Sequence, residues 1–197
     1  MRMPERLVLA TANPGKVREL RGLVESWGAG VRVEALDEHP VLVLPEETGA
    51  TYEENAALKA GVVAAATGFP ALADDSGLEV DALGGQPGVR SARYGADDAA
   101  RIERLLGELH GRPDMERGAR FRCVVVLASP TGEMEAAEGV VEGRIATEPI
   151  GAGGFGYDPI FVADELGTTF GAAPGMEKER VSHRARAMAA LAERLRR

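Results

Sequence analysis

The stretch Ala71-Leu72-Ala73-Asp74-Asp75-Ser76-Gly77-Leu78 constrains this chain most: an apolar run that ends abruptly in two adjacent carboxylates, a hydroxyl and a glycine. Such a run suits a buried strand, and Ser-Gly reads as its stop signal. Carboxylates at the tip of a buried strand are costly to leave unpaired, so they hold a cation, meet a basic side chain or reach water. In open α/β sheets the region beyond the strands' carboxyl ends is also where ligands bind. On the octet alone an Asp-rich turn without chemistry is the favoured reading, because Asp, Ser and Gly are ordinary turn formers. The rest of the chain decides between the two.

Upstream, Leu7 to Ala10 reads as a first buried strand, and Thr11-Ala12-Asn13-Pro14-Gly15-Lys16 breaks it. Val17, Leu20, Leu23, Val24 and Trp27 then recur at spacings of three and four, which predicts an amphipathic helix. A polar loop at the positive end of a helix suits an anion; Thr11 or Asn13 as cap with Pro14 in the first turn explains the same residues. Val31 to Leu36 is a second expected strand, followed by an irregular acidic segment containing Glu46 and Glu47. Thr51 and Glu54 have the spacing of a capping box, opening an alanine-rich helix through Thr67. Leu78 to Leu83 alternates like a half-buried strand, and a helix is expected from about Asp97 to Leu109. Arg120 to Ser129 and residues 134 to 146, joined by Pro130-Thr131-Gly132, predict a hairpin.

The glycine loop at 151–159 formally fits G-x-G-x-x-G, but Pro159 and a strand-like Ile160-Phe161-Val162 follow where a dinucleotide fingerprint needs a helix. What remains is a loop carrying Phe155 and Tyr157, suited to stacking on a base or to packing a corner. Near the end, Ser182 can cap a last helix with His183 and Arg184 in its first turn. Cations there oppose the helix dipole, and an anion docked at that end would resolve the conflict.

Composition narrows the classes. A net charge of −8 leaves no basic excess for a nucleic-acid backbone, so a phosphate ligand would need local Lys and Arg or a divalent ion. No run approaches the roughly eighteen apolar residues of a membrane span, and the N-terminus leads straight into a strand; the expectation is a cytoplasmic protein without a leader. One cysteine, Cys123, sits in an apolar strand and is expected to pack rather than react. With that and three scattered histidines a structural zinc site is not expected; oxygen ligands point to Mg²⁺ or Mn²⁺. No P-loop is present, and Ser76 lacks the strand-turn-helix elbow of a serine nucleophile.

Taken together, the sequence resembles the inosine/xanthosine triphosphate pyrophosphatases, the Ham1-like family. The resemblance rests on the T-x-N-x-x-K motif at Thr11–Lys16, on Glu46-Glu47-Thr48-Gly49, on Asp74-Asp75-Ser76-Gly77-Leu78, and on Pro87-Gly88 with Ser91-Ala92-Arg93-Tyr94. Gly153-Gly154-Phe155-Gly156-Tyr157-Asp158-Pro159 and Ser182-His183-Arg184 complete it, in the family's order and over nearly the whole chain. It implies hydrolysis of ITP, dITP and XTP to the monophosphate and pyrophosphate, which cleanses the nucleotide pool. It also implies one α/β domain over residues 1–197, a long twisted mixed sheet flanked by helices with two lobes and a cleft, and a homodimer. By the same resemblance Thr11, Ala12, Asn13, Pro14, Gly15 and Lys16 take the triphosphate, and Asp75 is proton acceptor and Mg²⁺ ligand. An acid of the Glu46-Glu47 pair, Glu46 being favoured, assists the metal. Ser76, Phe155, Gly156, Tyr157 and Asp158 contact substrate, the last four around the base, and Lys178, His183 and Arg184 complete the nucleotide site. Two positions depart from the family's usual pattern: Ala12, where relatives often carry Gly, and Glu179, where they often carry Asn. The rival readings are a nucleotide pyrophosphatase of different base specificity and a nucleotide-binding module without turnover.

Overall fold

In the computed structural model, which describes every residue except Ala29 and Pro40, seven strands form one sheet in the order β2-β1-β3-β4-β5-β6-β7. The strands are β1 (Arg6–Leu9), β2 (Arg32–Glu34), β3 (Ala71–Val80), β4 (Gly118–Ala128), β5 (Met134–Ile145), β6 (Phe161–Ala163) and β7 (Thr168–Thr169). The sheet is mixed: β1 runs parallel to β2 and β3, whereas β6 runs antiparallel to β5 and β7. The helices are α1 (Pro14–Glu25), α2 (Tyr52–Thr67), α3 (Asp98–Glu108), α4 (Gly175–Val181) and α5 (His183–Leu195). The expected α/β class is what the chain forms.

The chain divides into two compact units, Met1–Asp75 with Cys123–Gly139 and Arg184–Arg197, and Ser76–Arg122 with Val140–His183. In the first, Leu7 and Leu9 of β1, Leu72 of β3 and Cys123, Val125 and Leu127 of β4 pack with Leu20 and Val24 of α1 and Met188, Leu191 and Leu195 of α5. The period-two alternation of the strands and the three-and-four spacing of the helices put these residues on one side. Asn13 caps α1 through its side chain, with Pro14 in the first turn. The expected capping box opens α2: Thr51 accepts from the Glu54 amide, and the Glu54 side chain accepts from the Thr51 amide. Gly68, at φ 71°, closes that helix in the left-handed conformation a C-terminal glycine supplies.

In the second unit Leu78 and Val80 of β3, Leu105 and Leu109, Phe121, Ile145, Phe161 and Phe170 form the core. Phe121 meets Phe161 edge-on at 4.6 Å between centroids and stacks on the His183 ring at 4.7 Å.

Two expectations change, and one short helix is added to those expected. The Ser76-Gly77 stop signal stops nothing: β3 is one ten-residue strand, with Ser76 and Gly77 inside it. β1 pairs with β3 at Ala71 and Leu72; further along the strand the Leu78 amide donates to the Ser91 hydroxyl at 2.9 Å, a side-chain partner in place of a ladder bond. The alternation expected through Leu83 ends at Val80, and Asp81–Leu83 make a 3₁₀ turn. Finally, Gly175–Val181 forms a short helix, α4, ahead of α5, the two separated by an extended Ser182.

Candidate active site

Adjacent strand residues point to opposite faces, so Asp74 and Asp75 cannot share one environment. Asp74, on the face of Leu72, is wholly buried against α1 and α5. Its Oδ2 accepts from Arg184 Nε at 3.0 Å and Nη2 at 2.9 Å, and lies 3.1 Å from Lys16 Nζ. Arg184 also pairs with Glu19 of α1. Burial alone would raise the Asp74 carboxyl, but the charges of Lys16, Arg184 and Lys59 outweigh it and hold it far below the ordinary carboxylate range.

Asp75 behaves in the opposite way. Its Oδ2 accepts from Asn55 Nδ2 of α2 at 3.0 Å. Burial raises its carboxyl, only partly offset by Lys59, Lys16 and the Asn55 hydrogen bond, and the nearby Glu47 charge raises it further. Lys59, one turn beyond Asn55 on α2, donates to Glu47 Oε1 at 2.6 Å and to the Asp74 carbonyl at 2.8 Å. Two neighbouring carboxyls are thus driven apart: one held as an anion by its cations, the other raised above the ordinary aspartate value by burial. That separation is how environments assign acid and base roles.

The loop before α1 is organised by its own side chains. Asn13 Oδ1 accepts from the amides of Gly15 at 2.8 Å and Lys16 at 3.2 Å, while the Asn13 amide donates to Thr11 Oγ1 at 3.2 Å. The capping explanation of Asn13 and Pro14 holds, and Thr11 is buried beside it. Ala12 lies in the same loop, exposed.

In the second unit the 153–158 loop is held by carboxylates. Asp158 Oδ2 accepts from the Phe155 amide at 2.7 Å and pairs with Lys178 at 2.7 Å. Asp98, in the first turn of α3, accepts from the Gly156 amide at 2.7 Å. Gly154 has no substitute: at φ 75° a Cβ would stand 1.9 Å from Asp158 Oδ2. Lys178 Nζ lies 5.3 Å from the Phe155 ring centroid, within cation–π reach. Tyr157 turns inward, donating to the Ser91 carbonyl at 3.0 Å, and burial pushes its hydroxyl pKa well up. His183 is buried on Phe121, and Ser76 is half-buried in β3.

Of the residues singled out in the sequence, the first unit therefore gathers Lys16, Asp75 and Arg184, and the second gathers Phe155, Gly156, Asp158 and Lys178. Glu46 is exposed; its neighbour Glu47 is the one that meets Lys59 and acts on Asp75. Sequence reasoning missed Asn55, Lys59, Asp74 as the buried anchor, and Glu19. The only signal for the first two was their i, i+4 spacing, which puts an amide and an ammonium on one face of an alanine-rich helix. Among the described residues no group of three or more His, Cys, Asp and Glu side chains forms a ready metal cage. The oxygen donors of Asp75 and Glu47 nonetheless suit a hard divalent ion that keeps water and phosphate ligands, and a cation there would relieve their crowding.

The Ham1 family profile matches residues 7–194. A dITP/XTP pyrophosphatase of Thermus thermophilus is 54% identical over 190 residues, covering 95% of this chain and 90% of the relative. A dITP/XTP pyrophosphatase of Geobacter sulfurreducens is 48% identical over 193 residues, covering 96% of each. Among solved structures, a HAM1 protein from Coxiella burnetii superposes with a TM-score of 0.86 at 40% identity, covering 97% of this chain and 98% of that one.

Proposed function

This chain belongs to the Ham1 family, and on that footing we propose that it hydrolyses noncanonical purine nucleoside triphosphates, ITP, dITP and XTP, to the monophosphate and pyrophosphate. The observation that carries the reading is the divergent placement of two adjacent carboxylates: Asp74 is paired with Arg184 and Lys16, whereas Asp75, on the opposite face, is held by Asn55 near Lys59 and Glu47, with its carboxyl raised by burial. Asp75 takes the proton of the attacking water. Lys16 meets charge developing on the phosphates, the Thr11–Lys16 loop receives the triphosphate, and Lys59 holds Glu47 and the Asp74 carbonyl beside Asp75. Arg184 is committed to Asp74 and Glu19, so we assign it to holding the anchor rather than to touching phosphate.

A divalent cation, Mg²⁺ or Mn²⁺, bound by Asp75 with an acid of the Glu46-Glu47 pair, would neutralise phosphate oxygens and lower the pKa of bound water. Glu47 is favoured for that place by its contact with Lys59 and its influence on Asp75. In the second unit, Phe155 supplies a stacking face, with Gly156, Asp158 and Lys178 holding its loop; Ser76, Tyr157 and His183 support the nucleotide site from more buried positions. Among the described residues no helix is long and apolar enough to cross a membrane, which fits a cytoplasmic enzyme of the nucleotide pool. A homodimer is supported by α2, whose outward face exposes Leu58 and Val62 beside Met134.

Pyrophosphate release from ITP, XTP, dGTP and ATP, with and without Mg²⁺, tests the reading. Metal-dependent release from ITP and XTP ahead of ATP supports it. Preference for another base would make this a pyrophosphatase of different specificity, and nucleotide binding without release would make it a regulatory module.

A further inference from the structure

Asn55 is completely buried, and both ends of its amide are used. Oδ1 accepts from the Gly49 amide at 2.7 Å, and Nδ2 donates to Asp75 Oδ2 at 3.0 Å. The Gly49 N–H can only donate, so the orientation of the amide is fixed: the NH₂ must face Asp75. Gly49 itself lies hard against this side chain. A Cβ there would stand 2.7 Å from Asn55 Oδ1 and 2.7 Å from Glu54 Cβ. The segment leading to Gly49 also carries Glu47, the partner of Lys59. One amide therefore ties the backbone beside Glu47 to the Asp75 carboxylate.

We propose that Asn55 is a positioning residue of the hydrolytic reaction: through its two-ended amide it fixes which Asp75 oxygen is committed to the protein and sets the Glu47-bearing loop against it. The inference rests on the activity proposed above. A carboxylate that must meet a water in line with a phosphorus gains from being held in one orientation, and a misplacement of about 1 Å is enough to cost about 10²-fold in rate. Among the described residues the Asn55 side chain hydrogen-bonds Gly49 and Asp75 and not Lys16 or the Thr11–Asn13 loop, so its loss strikes the chemical step rather than triphosphate capture.

The test is steady-state kinetics of Asn55→Asp and Gly49→Ala, with thermal unfolding of each. Asn55→Asp is isosteric and still accepts from the Gly49 amide, but it replaces the donor to Asp75 with a second acid facing it; Gly49→Ala, which adds no charge, separates positioning from that electrostatic effect. The expected result is a kcat lower by about 10²-fold at nearly unchanged KM, a split that a purely structural role does not produce. Gly49→Ala, which pushes on the same amide from the loop side, lowers kcat in the same manner, and the double variant is little worse than Asn55→Asp alone. Retained kcat in a folded Asn55→Asp, or losses that multiply in the double variant, overturns the proposal. If Asn55→Asp does not fold, Gly49→Ala decides alone: a lower kcat at constant KM supports, an unchanged kcat overturns. The wild type, assayed alongside on ITP, XTP and ATP, separates the two levels. No release from any of them defeats the activity and with it the proposal, whereas wild-type turnover with unaffected variants defeats the proposal only.

Discussion

Arg184 of α5 places two of its N–H groups, Nε at 3.0 Å and Nη2 at 2.9 Å, on the single oxygen Oδ2 of Asp74, and both side chains are out of water. These residues lie 110 positions apart, so the contact staples the last helix onto the strand that bears the reactive carboxyl. The basic start of α5 does have an anion to answer it, and the anion belongs to the protein.

Replacing Asp74 with Asn takes from the buried Arg184 guanidinium one of the two carboxylates it pairs with, Glu19 remaining, so the loss should lie near the lower end of the about 3–5 kcal/mol that breaking a buried pair costs. Urea unfolding of Asp74→Asn against wild type at about pH 7 should show a deficit of that order. The Asp74 carboxyl lies lower in the folded than in the unfolded chain, so its stabilisation is present above the ordinary aspartate pKa of about 3.9 and fades as pH falls below it. The gap between variant and wild type should accordingly narrow in acid.

Cys123 lies wholly inside the first core, and burial, with help from the Asp74 charge, pushes its thiol up to about 12. A thiol with that pKa is almost entirely protonated at pH values near 8 and presents no nucleophile. Titration of the native protein with a disulfide reagent should find no reactive thiol, and the unfolded chain should reveal one.

Asp98 acts on the aromatic loop from a distance. Its carboxylate accepts the Gly156 amide while pairing with Arg101. Asp98→Ala frees the loop beside Phe155, and because half the Asp98 side chain is solvated the effect should stay near 1 kcal/mol, about a fivefold rise in KM for ITP. Steady-state kinetics should find kcat nearly unchanged, since nothing at Asp75 has moved.

The features legible in the sequence are those written in local spacing. Asn13 before Pro14, Thr51 with Glu54, and the Pro130-Thr131-Gly132 turn each act within a few residues, and each forms as read. The continuity of β3 was not legible, because Ser76 and Gly77 are turn formers whose local preference is overridden by partners distant in sequence, among them Ser91, whose hydroxyl takes the Leu78 amide. The anchoring role of Asp74 was hidden for a different reason: its partners Lys16 and Arg184 come from opposite ends of the chain. Lys59 escaped notice as one lysine in a helix of alanines, although it bridges Glu47 and the Asp74 carbonyl. Choosing between Glu46 and Glu47 required knowing which of two neighbours on an irregular segment faces inward, and spacing carries no such information.

Asp75→Asn is the most direct test of the claim that two adjacent carboxylates divide the work, because it removes the proton acceptor and leaves Asp74, Lys16 and Lys59 in place. Pyrophosphate release from ITP should drop by about 10²–10⁴-fold while ITP binding stays measurable. Turnover close to wild type in that variant would contradict the account.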